Sequence, residues 1–265
     1  MPQKLAVIGC GKMAYAILKG LNRQAFAAIY CNDINPARSA LFEAEFGATA
    51  CALCESIDAA DMIILAVKPQ QLAQVMEDSQ GRWTADKLLI SVLAGVKTES
   101  LEKATGGKTA IIRVMPNTPC LIGQGISALC AGKLTTPVQM LAAQDIFAQL
   151  GKVVTVEEKL MDAVTAVSGS GPAYVFSVVE AMINAAVNVG LDAALARELV
   201  LATCKGSLAM LEAENAHPAV LREQVCSPAG TTIAGVRQLE ANGLRKAFFD
   251  AIEKAYQRSI ELGKQ

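Results

Sequence analysis

Short strand-like runs alternate with helix-like segments through roughly the first 155 residues of this 265-residue chain. The strand-like runs are continuous stretches of branched and aliphatic side chains: KLAVIG, AIYCND, DMIILAV, KLLISVLAG and TAIIRVMP. Between them, the segments GKMAYAILKGLN, NPARSALFEAEFG and PQQLAQVMED space their apolar residues as a helix does. This alternation of apolar strands and helices indicates a parallel sheet covered by helices on both faces.

The pattern changes after about residue 157, where the strand-like runs stop and each further segment has helical spacing. Asp192 stands where a helix N-cap is expected, and Pro218 stands at a first helical position. The first long helices carry few charges and more apolar surface than about 110 residues can bury alone, which favours a core shared between subunits. We therefore predict an α/β protein. A doubly wound, mostly parallel Rossmann-type sheet in residues 1–156 precedes an all-α dimerisation domain in residues 157–265.

A glycine motif follows the first predicted strand and opens the first predicted helix. Gly9, Gly11 and Ala14 form G-x-G-x-x-A, with Lys12 and Met13 between the last two positions. In this context the first glycine makes a tight turn, the second lets a pyrophosphate approach the backbone, and the alanine lets the helix pack closely. Because a helix N-terminus favours negative charge, the motif predicts a dinucleotide site.

The second predicted strand ends at Asn32 and Asp33. An acid about 20 residues beyond the glycines commonly binds the ribose 2′-hydroxyl and disfavours a 2′-phosphate, which favours NADH. Lys12 and Arg38 stand where they can approach a 2′-phosphate, which favours NADPH. Asp33 also fits a solvated turn residue in NDINPA, so the choice between NADPH and NADH stays open at this point.

Two further loops follow predicted strands at the edge where ligands collect in such sheets. Lys68 and Pro69 belong to A-V-K-P at the end of the central strand, where the lysine either faces the crevice or forms a surface salt bridge. Asn117 and Thr118 lie in MPNTP, which we take to end the last strand, and they offer neutral hydrogen bonds to a nicotinamide amide.

Composition excludes several classes of protein. Lys and Arg total 24 against 25 for Asp and Glu, and they are scattered, so no nucleic-acid footprint stands out. The apolar run at the N-terminus is too short for a signal peptide. The richest apolar stretch, residues 172–189, carries Glu180, Asn184 and Asn188, which fits a subunit interface better than lipid.

The eight cysteines indicate a reduced compartment, and we expect a cytoplasmic protein. They lie within apolar runs rather than at disulfide-framework spacings. Cys51 and Cys54 form the single C-x-x-C, and His217 is the single histidine. We therefore expect small buried thiols and no metal site, although a redox role for this pair stays open.

Two glycine-containing segments interrupt the helical half. SGSGPAY, residues 168–174, falls inside a long apolar stretch, and we expect a helix break that serves a bound carboxylate or a close helix crossing. SPAGTTI, residues 227–233, brings hydroxyls and backbone amides together at a predicted helix start, where an anion is favoured. A plain N-cap accounts for one of its hydroxyls but not for three beside a proline and a glycine.

Taken together, these motifs resemble pyrroline-5-carboxylate reductases nearly from end to end: IGCGKMA, LAVKP, SVLAGV, RVMPNTP, SGSGPAYVF, HPAVLREQV and SPAGTTI. The resemblance implies reduction of the cyclic imine of proline, the last step of proline synthesis, with NADPH or NADH. It implies a homodimer interlocked through the helical domains, whose dimers assemble further in some members. The chain departs from the family at Lys12, commonly Asn, and at Ala229, commonly Gly, and some members carry Arg near Asp33.

Site residues follow from the resemblance and the motifs. Ser227, Gly230, Thr231 and Thr232 would hold the substrate carboxylate, with Thr232 also near the ring nitrogen as the catalytic residue. Glu158 would lie near the substrate and favour a cationic imine; in VEEK it equally fits an exposed acid at a helix start. The expected cofactor-binding residues are Gly9, Gly11, Lys12, Met13, Ala14, Asn32, Asp33, Ala66, Val67, Lys68, Pro69, Ala94, Gly95 and Asn117.

Two other classes of protein pair such a sheet with helices. A β-hydroxyacid dehydrogenase would need a general acid, typically a lysine four residues after the last glycine of the helical motif. That position is Val175, and Asn184 lacks a lysine partner. A non-catalytic dinucleotide-binding regulator has no need of the SPAGTTI anion loop. Both are weaker alternatives to the reductase.

Overall fold

A computed structural model describes residues 3–263 of the chain. The described residues divide into two compact units: residues 3–170 with 255–263, and residues 171–254. The first unit contains an eight-stranded sheet in the order β3-β2-β1-β4-β5-β6-β7-β8. Strands β1 to β8 are Lys4–Ile8, Ala28–Asn32, Thr49–Ala50, Met62–Leu65, Leu88–Ser91, Ala110–Met115, Gly125–Ala131 and Gly151–Thr155.

Six helices connect these strands. Helices α1 to α6 are Lys12–Gly20, Pro36–Phe46, Leu53–Ala59, Leu72–Asp78, Thr98–Ala104 and Pro137–Ala148. Successive residues of β1 point to opposite faces of the sheet: Leu5 and Val7 join one core cluster with Phe42 of α2, whereas Ala6 and Ile8 join another with residues of α3 to α5. The predicted doubly wound sheet is therefore confirmed.

The sheet has more strands than the sequence suggested. TAIIRVMP forms β6, but MPNTP does not end the last strand, because β7 and β8 follow it. Strand β7 runs antiparallel to β6, and β8 runs parallel to β7. The short β3 pairs with β2 at the opposite edge. The sheet is thus mostly parallel, as predicted, with two extra strands reversed at one edge.

The regular elements after β8 are all helical in the described part of the chain. Helices α7 to α12 are Met161–Val164, Gly171–Asn188, Ala193–Glu214, Pro218–Val225, Thr231–Ala241 and Leu244–Leu262, with a π-helical turn at Thr165–Gly169. Two expected helix starts are confirmed. The Asp192 carboxylate accepts the Ala194 and Leu195 N–H groups, and Pro218 opens α10.

Contacts divide the chain at a different point from the predicted boundary between residues 156 and 157. The segment before Gly171 groups with the sheet. Met161 is fully buried against Ala128 and Cys130 of β7, with Val164 packed beside them. The predicted domain boundary between residues 156 and 157 stays a prediction, because contacts between residues do not by themselves define a domain.

SGSGPAY does not break the helix as expected. The chain widens into the π-helical turn, where the Ser170 N–H still donates to the Thr165 carbonyl at 2.9 Å. A Cβ on Gly169 would lie 2.3 Å from the Met115 side chain. The glycine therefore lets the end of β6 pack against this turn, a use that neither sequence hypothesis included.

Candidate functional site

The tight turn after β1 depends on Gly9. Its φ of +94° is a left-handed conformation that favours glycine. A Cβ at this position would lie 2.8 Å from the backbone of Ala66 and Val67, at the end of the neighbouring strand β4. The Gly9 N–H donates to the Asn32 carbonyl at 2.8 Å. Gly9 is therefore fixed by the protein's own packing.

Gly11 is different, because the space beside it is open. It is the N-cap of α1 with φ −84°, and no side chain caps this helix start. A Cβ on Gly11 would meet no atom of the chain within 4 Å. Ala14 is fully buried one turn later, whereas Lys12 is exposed and Met13 half-buried. This open approach to an uncapped helix N-terminus fits a dinucleotide pyrophosphate.

Asp33 does not simply face solvent. One carboxylate oxygen accepts the Cys10 N–H at 2.7 Å and the other accepts the Asn35 N–H at 2.8 Å. Its side chain is 6% exposed, and the Arg38 guanidinium lies 3.8 Å away. The solvated-turn alternative is therefore wrong, and Asp33 ties the loop after β2 to the glycine motif.

We expect Asp33→Ala to weaken binding of both NADH and NADPH by about ten-fold, because the glycine motif loses a charge-assisted hydrogen bond from Cys10 N–H. The NADPH-to-NADH ratio of kcat/KM should rise, because removing a carboxylate relieves repulsion of a 2′-phosphate. Fluorescence titration and steady-state kinetics measure both effects. Arg38→Ala is the control for the neighbouring cation. An unchanged ratio would mean that Asp33 acts on the loop alone.

Four loops predicted to bind the cofactor meet at one edge of the sheet. Strands β2, β1, β4 and β5 are consecutive and parallel, so their carboxyl ends lie side by side, with the topological switch between β1 and β4. Lys68 is exposed there and Gly95 is buried with φ +78°. The residues that share this edge are Gly9, Gly11, Asn32, Asp33, Ala66, Val67, Lys68, Pro69, Ala94 and Gly95.

Asn117, after β6, has a structural partner of its own. Its side-chain oxygen accepts the Ile126 N–H at 3.0 Å, and the residue is 9% exposed. This bond holds the start of β7 against the loop after β6. A hydrogen bond from Asn117 to a nicotinamide stays a prediction.

The cysteines of the sheet are thiols without an assigned role. A hydrogen bond with Cys31, followed by burial, raises the pKa of Cys10. Cys51 and Cys54 are half-buried rather than buried, and their thiols contact the Ser56 hydroxyl and the Asp78 carbonyl respectively. Within residues 3–263, no group of three or more His, Cys, Asp or Glu side chains is arranged to hold a metal ion.

Glu158 takes part in a buried ion-pair cluster that the sequence did not reveal. The Arg113 guanidinium on β6 lies 2.5 Å from the Glu158 carboxylate and 3.6 Å from that of Asp162. Burial alone would raise the pKa of Glu158, but hydrogen bonds from the Thr98 side chain and the Arg113 guanidinium outweigh burial and lower it. The one signal in the sequence was an arginine inside the apolar strand AIIRVM. A role for Glu158 toward the substrate stays a prediction.

The second unit contains the predicted anion loop at the start of α11. Gly230 is the N-cap, and no side chain caps the helix. A Cβ on Gly230 would lie 2.3 Å from the Ser227 hydroxyl, so glycine leaves room for that hydroxyl over the helix end. Ala229 has φ +57°, which costs about 1–2 kcal/mol for a non-glycine residue. The chain therefore holds a strained loop here, with Thr231 and Thr232 in the first helical turn.

A glycine motif at the switch point of a doubly wound sheet, with an uncapped helix start beside it, defines a nicotinamide-dependent oxidoreductase. Residues 158–262 match the family model for pyrroline-5-carboxylate reductase dimerisation, and residues 4–95 match one described as NADP oxidoreductase coenzyme F420-dependent. The chain belongs to the pyrroline-5-carboxylate reductase family. It forms a homodimer through its helical half.

Individual relatives agree over the whole length. The chain is 41% identical to the pyrroline-5-carboxylate reductase of Synechocystis, with 100% of both chains covered, and 36% identical to that of Escherichia coli, again with 100% covered. The solved structure of the Plasmodium falciparum enzyme with NADP bound has a TM-score of 0.90 and 32% identity, covering 98% of each chain. These matches favour the reductase over the dehydrogenase and the regulator.

Dimerisation also explains an apolar feature of the helical half. The helical stretch Glu158–Asn188 is long and apolar enough to cross a membrane by length and composition, and 6% of its apolar window is buried within the chain. Val175, Phe176 and Val187 are among its exposed side chains. Such a surface on a single subunit fits a core shared by two subunits.

Proposed function

We propose that this chain reduces 1-pyrroline-5-carboxylate to L-proline with NADPH, and accepts NADH as an alternative donor. The full-length likeness to reductases of that name and the NADP-bound relative support this activity and this cofactor. The feature of this chain that carries the proposal is the uncapped start of α11, where the Ser227 hydroxyl lies over Gly230.

The residues at the sheet edge fit a dinucleotide. Gly9 makes the turn, Gly11 leaves the approach open, and the first N–H groups of α1 would bind the pyrophosphate. When bound, NADPH supplies a hydride. The other residues that we propose to contact it are Lys12, Met13, Ala14, Asn32, Asp33, Ala66, Val67, Lys68, Pro69, Ala94, Gly95 and Asn117.

The anion loop would bind the substrate carboxylate. Ser227 and Thr231 offer hydroxyl donors, and the N–H groups at the start of α11 add the helix dipole, which favours a negative charge. We propose that Thr232 also reaches the ring nitrogen and holds the imine in a fixed orientation. Arginine is not needed for this, because several N–H and O–H donors can satisfy one carboxylate.

Reduction of the imine does not require a strong acid or base group of the protein. A protonated cyclic imine is already electrophilic at carbon, and addition of hydride there leaves an amine at the nitrogen. Positioning the imine carbon for attack can supply much of the rate enhancement. The chain's task is therefore to bind, align and exclude water, and Thr232 is the catalytic residue that we propose for alignment.

We further propose that the protein works in the cytoplasm without nucleic acid or membrane partners. All eight cysteines are free thiols, which suits a reducing compartment. The balance of 24 basic and 25 acidic residues gives no attraction for nucleic acid. Assembly of dimers into a larger homo-oligomer stays a prediction.

We expect Ser227→Ala and Thr232→Ala each to lower kcat/KM for the cyclic imine by about ten- to a hundred-fold, because a charge-assisted hydrogen bond is worth about 1.5–3 kcal/mol. Thr232→Ala should also lower kcat, since alignment suffers. The affinity for NADPH and the dimer mass should change little. Thr155→Ala is the matched control, because this exposed hydroxyl lies on β8 and accepts a hydrogen bond from Gln144 of α6.

Steady-state kinetics with NADPH and the imine decide the outcome. If both loop variants keep near-normal kcat/KM, the loop at α11 does not bind the carboxylate. The next place to look would then be the hydroxyls of SGSG, residues 168–171. If wild-type protein binds NADPH but does not reduce the imine, the substrate assignment is wrong while the cofactor assignment stands.

A further inference from the structure

The last turn of α12 lies directly against a loop at the proposed cofactor edge. Gly95 follows β5, is buried, and has φ +78°. A Cβ on Gly95 would lie 3.0 Å from Leu262 Cβ, 3.1 Å from the Gly263 nitrogen and 3.2 Å from the Ser259 carbonyl oxygen. The loop therefore touches the backbone of this turn, with no room for a side chain between them.

The contact is tight from the other side as well. A Cβ on Gly263 would lie 2.4 Å from the Gly95 carbonyl oxygen. That atom belongs to the backbone and cannot rotate away as the end of a side chain can. The two glycines thus allow backbone-to-backbone packing, so any shift of the helix end must shift the loop.

One hydrogen bond anchors the turn to the sheet. Ser259 is 3% exposed, and its hydroxyl donates to the Asp162 carboxylate at 2.7 Å. Asp162 in turn faces the Arg113 guanidinium, 3.6 Å away on β6. Ser259 is therefore joined through Asp162 to a residue at the centre of the first unit.

A cavity adjoins the same turn. Leu262 and Gly263 line a cavity of about 420 Å³, together with Pro69 and Val96 from the loops after β4 and β5. Beside this cavity, the bond from Ser259 and the contact with Gly95 hold the turn against the sheet unit.

We propose that the last turn of α12 and the residue that follows it, residues 259–263, position the Ala94–Gly95 loop for NADPH. Ser259 and Gly263 are positioning residues in this scheme, acting through Gly95 on the cofactor. The idea rests on the proposed function, because it needs Ala94 and Gly95 to contact the dinucleotide. It adds a part of the chain far from the glycine motif to the determinants of cofactor affinity.

The test is the affinity for NADPH of three variants near the C-terminus. We expect Gly263→Val to raise the NADPH Kd by about ten-fold, or about 1.4 kcal/mol of binding free energy, because its Cβ would lie 2.4 Å from the Gly95 carbonyl oxygen and displace the loop. Ser259→Ala should raise the Kd by about three-fold through the lost anchor. Arg258→Ala is the control, since this exposed side chain pairs with Glu261 on the same helix.

Kinetics separate positioning from general damage. With saturating NADPH, kcat and the KM for the imine should stay within about two-fold of wild type in both test variants, because the anion loop is unchanged. A Kd equal to wild type in Gly263→Val, or an equal rise in Arg258→Ala, overturns the proposal. If Gly263→Val does not fold, the NADPH titration of Ser259→Ala decides alone. A raised Kd in Ser259→Ala with an unchanged Kd in Arg258→Ala supports the proposal, and a Kd equal to wild type overturns it.

Failure of the positioning role can be distinguished from failure of the proposed function. Wild-type protein that does not bind NADPH would refute the cofactor assignment before any variant is compared. Wild-type protein that binds NADPH while Gly263→Val binds it equally well refutes only the positioning role.

Discussion

Gly11→Val should abolish detectable NADPH binding, with a Kd raised by more than about 100-fold, while the protein stays folded and dimeric. The valine side chain would occupy the open space above the start of α1, where the pyrophosphate must approach. Displacing a dianionic group from a helix N-terminus also removes its favourable interaction with the N–H groups. Both effects act on the ligand and not on the fold.

The surroundings of Gly11 make this substitution a clean test. Its φ of −84° suits any residue, and no protein atom lies within 4 Å of the added Cβ. Gly9 provides the contrast, because φ +94° and a backbone 2.8 Å from the Cβ make Gly9→Val a folding defect. We expect the melting temperature to fall sharply for Gly9→Val and to stay near wild type for Gly11→Val.

Calorimetric titration with NADPH gives the decisive measurement. Gly11→Ala is a substitution of intermediate size. It should weaken NADPH binding less than Gly11→Val does, since its side chain is one methyl group. Dimer mass from light scattering should be unchanged in both. An unchanged affinity in Gly11→Val would refute the assignment of the glycine motif to the cofactor.

Much of the fold was predictable because its signals are local. Continuous apolar strands and a glycine motif at the first turn require only neighbouring residues to be recognised, and β1, β2, β4, β5 and β6 were found that way. Strands β7 and β8 were missed. GISALCA mixes small and polar residues, and the sequence GKVVT is short and half-exposed at the sheet edge. Strand β7 pairs with β6 and β8 pairs with β7, and local periodicity does not report such pairing between distant segments.

The site was predictable to a different degree at each residue. Gly9 and Gly11 look alike in sequence, yet packing against β4 fixes one and leaves the other open. Asp33 was expected either at a ribose or in solvent, but its oxygens accept two backbone N–H groups. Glu158 was assigned by resemblance, whereas its nearest partner is Arg113, 45 residues away in sequence. Such partners follow from tertiary packing, which one sequence does not specify.

The buried cluster around Arg113 yields the prediction with the largest expected effect on stability. The Arg113 side chain is 2% exposed, and it is the cation that faces both Glu158 and Asp162. Arg113→Met should lower the free energy of unfolding by about 3 kcal/mol, the lower end for a buried ion pair, because it leaves two half-buried carboxylates without their buried cation. Urea denaturation at equal protein concentration measures it, since dimerisation makes stability concentration-dependent.

A compensated variant shows whether charge or packing is responsible. Arg113→Met combined with Glu158→Gln and Asp162→Asn removes the two acids as well as the cation. We expect this triple variant to regain much of the lost stability, since methionine fills a similar volume and no buried carboxylate remains unpaired. If the triple variant is as unstable as Arg113→Met, packing of the arginine side chain, and not its charge, stabilises the sheet.

The pH dependence of the free energy of unfolding gives an independent test of the charge interaction in this cluster. The pKa of Glu158 is lower in the folded protein than the ordinary value of about 4.3, so its contribution is present above that pH and is lost as the pH falls through the folded value. Without Arg113, the pKa of Glu158 would rise, because burial raises it and the favourable interaction with the guanidinium would be lost. The loss of stability caused by Arg113→Met should therefore be largest near neutral pH and shrink below about pH 4. A stability difference between wild type and Arg113→Met that does not change from pH 7 to pH 4 would contradict an electrostatic role for this cluster.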